Sequence, residues 1–214
     1  RLVGEGTGQP LDIDSFDAWY DQLVMWDHKA QRVVGGYRVG TTDRLDPLTG
    51  RASLYFNTLF EAHPAFIRRL SPAIELGRSF IRPEYQRNYT SLLLLWKGIC
   101  AYAHTHPHYR YLFGAVSISA NYSMLSRALI VEFLSRPGQC SRMSRMVQPS
   151  NRFVPSKRAK SEALELAHLV RDMDELNALI SDIEPDGKGV PILLKQYLRL
   201  GCKPVAFKIG RAHV

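Results

Sequence analysis

Hydrophobic positions change period along the chain, and the changes mark out the elements. Gln22–Asp27 and Arg32–Val39 are short β-rich runs on either side of the polar residues 28–31, the pattern of a hairpin. Gly35 and Gly36 are placed there for a bulge or a close backbone approach. From Phe56 to Leu70 the apolar spacing is helical but broken at Pro64. Ala73–Ile81 reads as a strand and residues 82–88 as a turn. A helix follows, because Leu92, Leu95, Trp96, Ile99 and Ala103 recur every three or four residues behind Thr90 and Ser91. His104–Arg110 closes that helix at Pro107, and Tyr111–Ile118 reads as a further buried strand. Ser123–Leu134 then predicts a helix and residues 136–160 a basic loop. Leu166, Leu169, Met173, Leu176, Ile180 and Ile183 trace one amphipathic helix, Ile192–Leu200 another, and Pro204–Phe207 a last strand. Strands alternating with helices predict one layered domain of α/β or α+β type.

A chain of 214 residues can bury a core without metals or disulfides to staple it. Its apolar runs all fall short of the ~20 residues that span a bilayer. Cys100, Cys140 and Cys202 are odd in number and far apart, which suits neither a disulfide framework nor a zinc site. With no signal peptide at the start, the expected location is the cytoplasm, with peripheral attachment to the inner membrane as a variant. A net charge of +8 adds an attraction to something anionic: nucleic acid, an anionic leaflet or an acidic protein. Nucleic-acid binding needs aromatics among the cations, and residues 136–160 hold only Phe153. The chain starts at Arg1 and ends in Ile209–Val214, the residues a common sequencing adapter encodes in one frame. The expectation is a fragment, 1–208, truncated at both ends and followed by six residues of adapter read-through.

Candidate chemistry concentrates between Glu75 and Asn88. Glu75 and Arg78 point to opposite faces of a regular strand, and a bulge at Gly77 brings them to one side. Arg82, Gln86, Arg87 and Asn88 cluster where a helix begins, and free N–H groups with positive potential suit a phosphate there; a solvated turn with surface arginines is the other reading. Asp14 and Asp17, in an acidic patch before the first strand, suit a helix start or a solvated loop. His104, His106 and His108 have no Cys or acid nearby to complete a ligand set, so no metal is expected, and Cys100 reads as core.

The segments GEGTGQPLDIDSFDAWYDQLVMWD, VVGGYRVG, IELGRSFIRPEYQRNYTSLLLLWKGI, YRYLFGAVSIS and GVPILLKQYLRLG resemble the ornithine- and glycine-lipid N-acyltransferase family, also labelled hemolysin-like. The resemblance runs from Gly4 to about Phe207. It is nearest to two-domain forms in which this module follows a lysophospholipid acyltransferase domain. More distantly, GGYR followed by ELGRSF is similar to the paired signature of acyl-homoserine-lactone synthases.

The resemblance implies a GNAT-like fold with a central mixed sheet flanked by helices. It also implies transfer of a fatty or 3-hydroxyfatty acyl group from a thioester to the α-amine of a small amino acid, ornithine or glycine. Catalytic roles fall to Glu75 and Arg78, and acceptor binding to Arg38, Asp14 and Asp17. Donor or phosphopantetheine binding falls to Gly77, Ser79, Phe80, Arg82, Gln86, Arg87 and Asn88. In that scheme Arg38 and Arg78 fork the acceptor carboxylate, Glu75 orients or deprotonates the amine, and N–H groups of Gly77–Phe80 hold the thioester carbonyl. No resident cofactor is implied; acyl-carrier protein or acyl-CoA is a co-substrate. The turn Pro83–Arg87 lacks the glycine-rich R/Q-x-x-G-x-G/A that wraps coenzyme A, which favours the acyl carrier protein as donor. The remaining expected partners are the amino acid and an anionic membrane surface, not nucleic acid. The rival readings are an acyl-homoserine-lactone-type synthase and a noncatalytic basic binding module.

Overall fold

The structure, a computed structural model, describes residues 13–44, 54–86, 89–136 and 142–208. The chain divides into two compact units, one within 9–58 and 62–115, the other within 59–61 and 116–214.

The first unit holds strands β1 (Asp21–Asp27), β2 (Arg32–Thr41), β4 (Ala73–Ile81) and β5 (Tyr111–Gly114) in the order β1-β2-β4-β5. The first two pairings are antiparallel and the β4–β5 pairing is parallel, so the sheet is mixed. The parallel step needs a crossover, and α4 (Tyr89–Thr105) supplies it. Its apolar stripe, with Leu95 and Ile99 fully buried, lies on Tyr37, Val39, Ile74 and Leu76. Burying an aliphatic side chain of this size contributes about 2 kcal/mol. On the opposite face, Phe56 stacks on Phe66 and meets Phe113 edge-on, with ring centroids 5.7 and 5.8 Å apart.

The segment from Leu54 to Leu70 is more broken than its spacing suggests. It forms a single turn, α1 (Phe56–Leu59), then β3 (Phe60–Ala62), then α2 (Pro64–Leu70), with Pro64 in the first turn where a missing N–H is harmless. The turn before α4 is likewise structured, as the short helix α3 (Pro83–Gln86). Strand β5 stops at Gly114, four residues before the predicted end.

In the second unit β3 pairs with β6 (Val147–Pro149), and four helices pack together: α5 (Met124–Leu134), α6 (Lys157–Leu169), α7 (Met173–Ile183) and α8 (Ile192–Arg199). Leu129, Ile130, Phe133, Leu134, Leu176 and Ile180 form its core. Ala163 and Ala167, one turn apart on α6, belong to it too, and Ala159 is buried a turn earlier on the same helix. The single helix predicted over Leu166–Ile183 is two helices: Asp172 caps α7 through the N–H groups of Asp174 and Glu175, and α6 has ended before it. The basic loop 136–160 is partly regular, with a 3-10 turn at Arg142–Met146, then β6, and then the first turn of α6. The strand expected at Pro204–Phe207 is absent among the described residues, which show an isolated bridge between Arg152 and Lys208 instead. The expected read-through, 209–214, lies outside the described residues. No described helix is long and apolar enough to cross a membrane.

Candidate active site

The site grows from one face of β2. Alternation puts Gly36, Arg38 and Gly40 on the face away from α4, and β4 sets Glu75 opposite Gly40. A 3-10 turn, Ser15–Ala18, leads into Tyr20, whose ring lies across Gly40; a Cβ on Gly40 would stand 2.3 Å from it. The Tyr20 hydroxyl donates to Glu75 Oε2 at 2.5 Å and accepts from the Tyr55 N–H at 2.8 Å. Glu75 Oε1 accepts from the Phe56 N–H at 2.7 Å. Both carboxylate oxygens are therefore held inside the protein, and the residue is 1% exposed. Burial lifts the Glu75 pKa above the usual carboxyl value, against the opposing pull of Tyr20, Phe56 and Arg38. Burial, then the negative Glu75, push the Tyr20 phenol far above its usual range.

Arg38 is equally buried. Its Nη1 donates to Asp14 Oδ1 at 2.7 Å and to Asp17 Oδ1 at 3.3 Å. The guanidinium lies over the rings of Tyr20, Tyr55 and Phe16 at 5.0, 5.3 and 5.6 Å. Nε and Nη2 have no hydrogen-bond partner among the described residues, so these three ring faces supply the rest of its stabilisation. Asp14 Oδ1 also accepts from the Phe16 N–H at 2.9 Å, its Oδ2 accepts from Arg78 Nη2 at 2.9 Å, and Asp17 accepts from the Asp14 N–H. This reciprocal capping box fixes the 3-10 turn. Burial raises the Asp14 pKa, but the hydrogen bond and charge of Arg38, with the Phe16 N–H and Arg78, outweigh it and hold the carboxyl below its usual value.

A bulge brings Arg78 to this cluster, which the sequence allowed at Gly77 but did not require, and it falls one residue later. Gly36 faces Phe80 and Arg38 faces Gly77, so Tyr37 alone opposes the two residues Arg78 and Ser79. Arg78 carries the turn with φ of 43°, a left-handed conformation rare for a residue with a side chain. Beyond the bulge the sheet opens. β5 pairs only with Ala73–Leu76, so Gly77–Ile81 have no strand on that side among the described residues. The space a Gly77 side chain would fill is empty to 4 Å. On the same face Val24 and Phe80 flank Gly36 across three strands and are 56% and 50% exposed.

Asp14, Asp17, Arg38, Glu75 and Arg78 thus come together, yet Arg38 and Glu75 sit beneath the surface rather than lining it. Gly77, Ser79 and Phe80 lie along the open stretch of β4. Arg82 is turned back onto Glu84 at 3.0 Å, and the Gln86 amide donates to the Ile81 carbonyl at 2.7 Å. Arg87 and Asn88 lie outside the described residues. Sequence reasoning missed Phe16, Tyr20 and Tyr55, which enclose the two buried charges. The spacing of Asp14 and Asp17 was a capping signal; nothing local pointed to Tyr20. It also missed Tyr85, whose hydroxyl donates to Asp27 at 2.6 Å and pins α3 to the β1–β2 hairpin.

Residues 1–97, which contain all of this cluster, match the model of the acetyltransferase (GNAT) domain. A glycine N(alpha)-acyltransferase of Bacteroides thetaiotaomicron is 36% identical over 148 residues, 64% of this chain and 44% of that protein. An L-ornithine N(alpha)-acyltransferase of Rhodobacter capsulatus is 35% identical over 114 residues, 50% of this chain and 41% of that protein. Over these spans the chain is similar to glycine and L-ornithine N(alpha)-acyltransferases. The likeness extends through the second unit as well. An L-ornithine N(alpha)-acyltransferase of Agrobacterium fabrum is 28% identical over 204 residues, 94% of this chain and 63% of that protein. The chain spans under half the length of the glycine N(alpha)-acyltransferases it matches. No solved structure matches it.

Proposed function

We propose that the chain carries the acyl-transfer site of an amino-acid N-acyltransferase. The observation that carries this reading is the Asp14–Arg78 ion pair, partly exposed and standing beside the bulge where β4 loses its β5 neighbour. An acidic and a basic group 2.9 Å apart are the complement of a zwitterion, the charge pattern of a free amino acid. Arg78 takes the acceptor carboxylate, and Asp14 with Asp17 takes the ammonium. Arg38 and Glu75 act as positioning groups. Arg38 holds the aspartates, and Glu75 holds Tyr20 and the Phe56 backbone.

The donor thioester lies along Gly77–Phe80, over the empty space at Gly77, with its acyl chain on the exposed face between Val24 and Phe80. The amine nitrogen attacks the thioester carbonyl, the C–S bond breaks, the thiolate leaves, and the amine proton passes to solvent. Deprotonating an α-amine of pKa near 8 costs only about 1.4 kcal/mol at neutral pH, so a strong base is unnecessary. The oxyanion is the costlier species, and losing one hydrogen-bond donor to it costs roughly 3 kcal/mol. An acyl carrier protein is the favoured donor, because the segment 83–86 is a helix opened by proline and offers no glycine-rich cradle for a diphosphate. The product is an N-acylated glycine, ornithine or similar amino acid, an amphiphile suited to lipid synthesis.

The test is to incubate the protein with acyl- and 3-hydroxyacyl-carrier proteins, acyl-CoA and a panel of free amino acids, and to read products by mass spectrometry. A monoacylated amino acid is expected, with Arg78→Ala raising the acceptor KM at least ten-fold, the scale on which one charged contact discriminates. No product from folded protein with any donor overturns the reading. A lactone made from S-adenosylmethionine would place the chain with the homoserine-lactone synthases instead.

A further inference from the structure

Seven basic residues and no acid lie between Ser135 and Ser161, and their surroundings differ. Arg136 donates to the Val170 carbonyl and lies over the Phe133 ring, so it is structural. Arg158 is paired with Glu162 one turn along α6. The other five, Arg142, Arg145, Arg152, Lys157 and Lys160, are exposed and have no ion-pair partner among the described residues.

Two local arrangements in this segment work against folding. Arg152 sits directly opposite Lys208 in an isolated antiparallel bridge, and like charges opposite one another repel. The first turn of α6 carries Lys157, Arg158 and Lys160 with no acid, where the helix dipole already presents positive potential. Apolar side chains are exposed among these cations: Val154 is 68% exposed and Leu164 is 48% exposed. On α6, Lys157, Lys160 and Leu164 fall at helical spacing on one flank, while Glu162 and Glu165 fall on the other. A surface that keeps repelling cations together, with aliphatic groups between them and its acids turned aside, is arranged for an extended anionic partner.

We propose that Arg152–Leu164, with Lys208, is a docking face for an anionic lipid bilayer, the lysines and arginines meeting headgroup phosphates while Val154 and Leu164 enter the boundary beneath. An acidic protein would match the charge, but it would not call for isolated aliphatics standing out between the cations, whereas an interface of headgroups and acyl chains takes both. The proposal is independent of the acyl-transfer reading, because binding is measured without turnover and either can fail alone.

The experiment is co-sedimentation of the 214-residue chain with vesicles of phosphatidylcholine alone and of phosphatidylcholine mixed with phosphatidylglycerol. Binding is expected only to the anionic vesicles and should weaken steeply with added salt. Each cation removed should weaken it roughly five-fold, so R152Q/K157Q/K160Q should lose on the order of a hundred-fold. V154S/L164S should weaken binding several-fold and leave the salt dependence unchanged. Arg171→Gln, which removes an exposed cation already paired to Glu175, should bind as the parent does. Equal binding to both vesicles, undiminished binding by the triple variant, or capture of an acidic acyl carrier protein with no vesicle binding would each overturn the proposal.

Discussion

Glu75 and Phe80 stand five residues apart on one strand and, across the bulge at Arg78, occupy the same face of the sheet under opposite conditions. Around Glu75 the protein supplies every contact: Tyr20, the Phe56 N–H and the buried Arg38 with its aromatic rings. Around Phe80 it supplies little, leaving Val24 and Phe80 exposed and the strand without its parallel neighbour. The difference separates two tasks. The closed end holds charged groups in fixed positions, which requires burial and full partnering. The open end leaves room for molecules that are not part of the chain.

The largest expected effect comes from forcing the closed end open. Gly40→Ala sets a methyl against the Tyr20 ring, and displacing Tyr20 strands a buried carboxylate. Unfolding free energy from urea titration should fall by about 3 kcal/mol. A loss below about 1 kcal/mol would mean the ring is not fixed there. Asp14→Ala leaves Arg38 with only the longer contact to Asp17, and about 2 kcal/mol should be lost, together with a raised acceptor KM. Phe80→Ala at the open end should do the reverse. Stability should change little, while kcat/KM for long-chain donors falls about ten-fold relative to short-chain donors, the scale of one apolar contact.

A smaller effect depends on pH. The Glu75 carboxyl titrates above 4.5 in the folded chain, so folded protein holds its proton more tightly than unfolded protein. That contribution to stability is complete below about 4.5 and is lost as pH rises through the raised value. The urea midpoint of the parent, measured against Glu75→Gln, should therefore decline toward neutral pH; a difference that is flat or rising would remove burial as the dominant influence on this group. Smallest of all, Gly77→Ala meets open space and should leave stability within about 0.5 kcal/mol, whereas donor KM should rise if the thioester lies there.

Period and punctuation made most of the first unit legible. The hairpin, β4 and α4 lie within two residues of their predicted places, because alternation at Leu23 and Met25 and the stripe through Leu95 and Ile99 each report a buried face. The second unit was misread where two helices share a phase. Leu166 to Ile183 keeps helical spacing across the break, and only Asp172 followed by Glu175 announces a new start. Within the site, charge was legible and enclosure was not. Asp14, Arg38, Glu75 and Arg78 stand out as polar residues in distinctive strings. That Arg38 and Glu75 are buried depends on Tyr20 and Tyr55, which reach them from distant positions, and sequence spacing carries no record of such a meeting.

Arg78 holds a backbone conformation in which glycine sits without strain and an arginine loses roughly 1 kcal/mol. A population of variants screened for heat resistance alone should drift to glycine or asparagine at this position, and one screened for turnover should keep arginine. Position 78 is then a gauge of selection, since its occupant tells which of the two demands a lineage has been under.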